Sequence, residues 1–193
     1  MKLAFVTAAT LAALSLPVLA APSHPASPHA PTAAAQLASM APRVVAWAEK
    51  LAAGGVAHGR APTAAQLRIA RASGVREPAR IRIVVVDRIP LPDEPQLKAA
   101  ALEVGLSPAS ALGMTVGYAV LVVRGYEDNV RLLSHEFRHV AQYEACGGIA
   151  PFLAMHLADL AAFGYEDSPF EVDARAHEQV GPAVLRRASS SGR

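Results

Sequence analysis

Apolar positions along the 193-residue chain follow two spacings, and these sort it into helices and strands. Leu37, Met40, Val44, Val45, Trp47 and Leu51 recur at helical spacing and predict a helix over 34–53, closed by Gly54-Gly55. Pro42 should kink that helix or delay its start. A shorter helix over 63–72 has Thr63 as a cap and Gly74 as its end. The run Ile81-Arg82-Ile83-Val84-Val85-Val86-Asp87 is β-branched and bounded by Pro78 and Pro90, which predicts a strand over 81–87. A helix over 97–104 ends at Gly105, and the block 114–123 carries a second strand near 117–123. Three helical blocks follow, over about 128–145, 151–163 and 169–187, the last with a break at Gly181-Pro182. The pattern predicts an α+β fold, mostly helical, with a small sheet.

The two ends read differently. Residues 1–20 carry Lys2, then a leucine- and alanine-rich run, then Pro17 ahead of Val18-Leu19-Ala20. That is the pattern of a secretory signal peptide cleaved after Ala20, and it predicts a secreted or periplasmic protein. No later stretch approaches the roughly 20 apolar residues of a membrane span, so none is expected after cleavage. Residues 21–33 are rich in Pro, Ala and Ser and predict a disordered linker, in which His24 and His29 are expected to be idle. The folded domain is expected over 34–188, and the polar 189–193 as a flexible tail.

Composition removes several function classes. Charged residues are 18% of the chain, the formal net charge is +2, and the arginines are scattered, so no basic stripe for nucleic acid is present. The single cysteine, Cys146, excludes both an internal disulfide and a cysteine-rich zinc site.

The chemistry concentrates in Leu132-Leu133-Ser134-His135-Glu136-Phe137-Arg138-His139-Val140, which contains His-Glu-x-x-His. On a helix, positions i and i+4 lie one above the other, so His135 and His139 can both turn an imidazole nitrogen to one metal ion. Glu136 is then placed to accept a proton from an activated water rather than to bind the metal. Val130, Leu133, Phe137 and Val140 form an apolar stripe on another face, Asp128 or Asn129 can cap the start, and Gly147-Gly148 can close the end.

A catalytic zinc needs a third protein ligand. His156, Asp159, Glu166, Asp167, Glu171, Asp173 and His177 are the downstream candidates, and Glu171 is preferred because its segment opens a helix able to return to the first. Ala174, one turn on, leaves room for close approach. Ser168-Pro169-Phe170-Glu171 also fits a capping box, in which Glu171 would reach back to the backbone instead. A developing oxyanion needs a further donor, for which Tyr143, Tyr165, Arg138 and His177 are candidates. Tyr118 is read as packing rather than chemistry. Strand 118–123 is expected at a sheet edge, where it could hold an extended peptide by backbone hydrogen bonds.

The stretch from Gly113 to Glu178 resembles the HExxH zinc metallopeptidases of the gluzincin type. Within them it is similar to a bacterial domain-of-unknown-function group of small, exported or toxin-associated peptidases. The resemblance rests on Gly117-Tyr118, Leu133 through Tyr143, Gly147-Gly148-Ile149 and Tyr165 through Ala174, about a third of the chain. It implies a minimal zincin-like domain in which His135, His139 and Glu171 bind Zn2+ and Glu136 is the general base, with a peptide or protein as substrate. Two other readings compete. One is a non-catalytic envelope binding domain on a metallopeptidase fold, for which an intact Glu136 has no use. The other is a zinc amidase acting on a non-peptide amide; its deformylase variant needs an upstream cysteine ligand, whereas Cys146 lies downstream.

Overall fold

The computed structural model describes Gln36, residues 39–103 and residues 110–180. The expected signal peptide, linker and tail lie outside those residues, as does the expected break at Gly181-Pro182. In chain order the elements are α1 (Ala41–His58), α2 (Ala64–Ala72), a 3₁₀ turn (Pro78–Arg80), β1 (Arg82–Val86) and α3 (Pro95–Glu103). β2 (Gly113–Val116), β3 (Ala119–Val123), α4 (Val130–Cys146), α5 (Ile149–Asp167) and α6 (Pro169–Ala176) follow. The fold is α+β and mostly helical, with a three-stranded mixed sheet, as the apolar pattern predicts. Among the described residues no single helix is long and apolar enough to cross a membrane.

β3 is the central strand, not the edge that its sequence position suggested. It pairs parallel with β1, from Arg82 opposite Ala119 to Val86 opposite Val123, and antiparallel with β2. The physical reason is visible in its side chains. Ala119, Val120, Leu121 and Val122 are all buried, so both faces of the strand are covered, which suits a sheet interior. Val120 and Val122 pack with Leu133, Phe137 and Val140 of α4 and Ala70 of α2. Ala119 and Leu121 face the other way, toward Leu51 of α1, with Ile89 beside them. The edge next to α4 is therefore β2, joined to β3 through Gly117 at φ 57°, a left-handed turn conformation that suits glycine.

Two helix ends differ from expectation. α1 runs through Gly54-Gly55 to His58. Gly55 lies against the sheet, where a Cβ would fall 2.5 Å from that of Ala119, so this glycine serves close packing and does not stop the helix. Pro42 sits in the first turn of α1, where a missing N–H costs nothing. α6 ends at Ala176, well short of 187, because His177 bonds back to Asp173 and the chain turns aside to place the Gln179 N–H on Ser134 Oγ at 2.8 Å. α2 carries the expected cap as a full capping box, Thr63 with Gln66. In α5, Gly164 (φ 76°, ψ 178°) breaks the helix where the sequence placed its end.

Candidate metal centre

α4 forms as its sequence suggests. Asn129 accepts a hydrogen bond from the Leu132 N–H at the start, and Gly147 closes the end in the left-handed conformation (φ 90°). Leu133, Phe137 and Val140 enter the core, which fixes the rotation of the helix about its axis. That rotation brings His135 and His139 together on a second buried face, their Nε2 atoms 3.2 Å apart and their rings edge to face.

Glu171 completes the group from the first turn of α6. Its Oε2 lies 3.5 Å from His135 Nε2 and its Oε1 lies 3.5 Å from His139 Nε2. The capping box proposed for this segment does not form: Ser168 stands at the N-cap but makes no side-chain cap bond, and its Oγ lies 3.4 Å from His156 Nδ1. The Glu171 carboxylate turns inward instead and is 3% exposed. Ala174 is fully buried where α6 packs on α4.

These atoms fit a divalent cation. Two lone pairs and a carboxylate crowded together repel unless a proton or a cation lies between them, and Glu171 Oε2 is buried without a hydrogen-bond partner. Ligands held about 2.0–2.1 Å from a tetrahedral zinc stand about 3.3 Å from one another; here the two Nε2 atoms are 3.2 Å apart, each lies 3.5 Å from a different Glu171 oxygen, and one ligand atom from each residue falls within 4.8 Å of the others. Burial disfavours ionisation of Glu171, but the imidazoles of His135, His139 and His156 beside it outweigh that and hold its pKa down at about 2. Burial likewise opposes charge on His135, yet Glu171, Glu136 and Glu178 together leave its pKa raised.

An outer set of residues orients the histidines, and two of them, Gln142 and Glu178, are not among the candidates the sequence offers. Gln142 Nε2 donates to Phe170 O at 2.9 Å and to Asp173 Oδ2 at 2.7 Å, which leaves Gln142 Oε1 to accept from His139 Nδ1 at 2.8 Å. With a hydrogen on Nδ1, a neutral His139 presents its Nε2 lone pair to the cluster. Asp173 is in turn gripped by Arg138 through two bonds, of 2.7 and 3.1 Å. Glu178 Oε1 stands 3.3 Å from His135 Nδ1, although that buried nitrogen makes no hydrogen bond in this geometry. Replacing Gln142 by leucine is expected to weaken zinc binding roughly 10–100-fold with the fold intact. Competition with a chromophoric chelator checks this, and parent-like affinity would remove Gln142 from the account.

The remaining candidates separate cleanly. Asp173 and His177 pair with each other at 3.4 Å, and Arg138 serves Asp173, so none of the three joins the cluster. Glu166 and Asp167 are exposed, and Asp159 is half-buried on α5 outside the group. His156 comes nearer, its Nε2 3.9 Å from Glu171 Oε1, with the Phe152 and Phe170 rings at 5.4 and 5.7 Å. Burial pushes its pKa down to about 4. Unfolded histidine titrates near 6.5, so the unfolded chain binds more protons between these values and stability falls as pH drops from about 6.5 to about 4. The metal-free protein should lose on the order of 2–3 kcal/mol there from this one group. Denaturant midpoints across that range should flatten in His156→Phe; an unchanged slope would contradict the burial argument.

Glu136, adjacent to the first histidine, is buried with its Oε2 2.7 Å from Thr115 Oγ1 on β2. Burial raises its pKa against the pull of His139, His135 and Thr115. A cavity of about 530 Å3 opens on Glu136, His135, His139 and Glu171, walled on its far side by Val44, Trp47 and Leu160. Of the four oxyanion candidates, Tyr143 and Tyr165 line it. Tyr143 is buried with its hydroxyl 3.4 Å from Thr115 O, and Tyr165 is half-exposed. Tyr118 lies elsewhere, its hydroxyl between Glu77 (2.9 Å) and Glu144 (3.0 Å) with Arg80 over its ring, a bracing role. Comparison of the chain with protein-family models, curated proteins and solved structures finds no match in any of the three.

Proposed function

We propose that this chain is an exported zinc-dependent peptidase of the gluzincin type, with His135, His139 and Glu171 as metal ligands and Glu136 as general base. The convergence of those three side chains, with a buried Glu171 oxygen that accepts no hydrogen bond although Arg175 Nη1 stands 3.9 Å away, carries the reading. A bound zinc ion would supply Lewis acidity, acidifying water toward neutral pH and polarising an amide carbonyl. Glu136 takes the proton from the attacking water at its carboxylate and later delivers it to the leaving amine. Its burial favours the proton-carrying state between those two transfers. Tyr165, at the cavity rim, is the candidate donor to the developing oxyanion. β2, an edge strand that borders the cavity, is the candidate to hold an extended peptide by backbone hydrogen bonds, in place of the central strand β3. A buried carboxylate beside the cluster supports the enzyme reading over a pure binding scaffold, which needs no general base.

The test is a library of internally quenched peptides, alongside non-peptide amides, incubated with the exported protein. Cleavage that a chelator abolishes and zinc restores supports the proposal. Turnover of the non-peptide amides alone would move the activity to an amidase.

A further inference from the structure

Glu136 belongs to α4, but the seat of its carboxylate is built by β2. Thr115 Oγ1 lies 2.7 Å from Glu136 Oε2 and 3.0 Å from the Glu136 carbonyl oxygen. Gly113 is two positions earlier, on the same side of the strand. A Cβ placed on Gly113 would fall 2.5 Å from Glu136 Oε1, 2.8 Å from its Cδ and 2.9 Å from its Cγ. Gly113 does not adopt the left-handed backbone region, so conformational freedom does not explain a glycine there. Gly113 opens β2, and a glycine in a strand often marks a close approach by another group. Here the approaching group is the carboxylate itself.

We propose that Thr115 and Gly113 are positioning residues for the general base: the hydroxyl holds one carboxylate oxygen, and the missing side chain leaves room for the other. The catalytic consequence rests on the peptidase reading above; the seat itself does not. The Thr115 hydroxyl faces two acceptors with one hydrogen. Donation to Glu136 Oε2 holds that carboxylate oxygen, and the Glu136 carbonyl oxygen is the second acceptor within reach.

Two measurements test this on Thr115→Val, Thr115→Ser and Gly113→Ala. Using the best-cleaved internally quenched peptide, Thr115→Val should lower kcat about 10–100-fold with KM and zinc affinity near the parent's, and Thr115→Ser should recover most of the loss. Gly113→Ala, which must displace the carboxylate, should lower kcat by about 100-fold or more while zinc stays bound. A Thr115→Val variant with parental kcat, or one that loses zinc, overturns the proposal. The second measurement needs no activity: a stability cycle on metal-free protein with Thr115→Val and Glu136→Ala. The cost of Thr115→Val should shrink when Glu136 is already alanine. Additive costs would overturn the seat even in an active enzyme, whereas a parent that cleaves no peptide would overturn the peptidase reading.

Discussion

Glu136→Gln is expected to keep its zinc and lose hydrolysis by about 10²–10⁴-fold in kcat. Glutamine has nearly the shape of glutamate and keeps an oxygen for the Thr115 hydroxyl, which lies 2.7 Å from Oε2 in the parent. What it lacks is the capacity to take up a proton. The three proposed ligand side chains are untouched, so metal content and fold should match the parent, and the defect should lie in kcat rather than in KM. Single-turnover kinetics with metal analysis on the same preparation checks both halves. Hydrolysis within a few-fold of the parent would require another base. Loss of zinc would mean that Glu136 acts on the metal site rather than on the proton.

Glu171→Ala carries the second large effect. Removing it leaves two histidines, one ligand short of the three protein ligands usual at a catalytic zinc. Zinc affinity should therefore fall by more than the roughly 10–100-fold typical of losing an outer hydrogen-bond partner. Ser168→Ala is the matched control, because Ser168 occupies the N-cap of the same helix without making a cap bond. It should keep zinc and cost less than the roughly 1 kcal/mol typical of a working cap. Chelator competition on both variants separates the outcomes. If the two bind zinc equally well, Glu171 is not a ligand.

The part of this site that lies within one helix was legible in the sequence. His135, Glu136 and His139 are related by helical geometry, and the stripe Leu133, Phe137, Val140 together with Asn129 and Gly147 announces that helix. Glu171 could be chosen but not separated from its capping role, because only the packing of α6 on α4 decides which way the carboxylate turns. The hydrogen-bonding frame was harder to read. Gln142 stands one turn after His139 and shares its face, a local signal that could have been used. Its bonds to Phe170 and Asp173 depend on α6, as the end of that helix depends on Ser134 and Asp173. Thr115 had no signal at all: it sits in the near-continuous apolar run 114–123, where the turn at Gly117-Tyr118 hides a second strand. The edge position of β2 is a property of the whole sheet, and no window of sequence contains it.

The central claim is that His135, His139 and Glu171 hold one zinc ion. Elemental analysis of the purified exported protein, beside a His135→Ala, His139→Ala double variant prepared identically, tests it most directly. The account predicts about one zinc per chain in the parent, by the three-ligand arithmetic of a single catalytic site, and none in the double variant. Stoichiometric zinc retained by the double variant would contradict it.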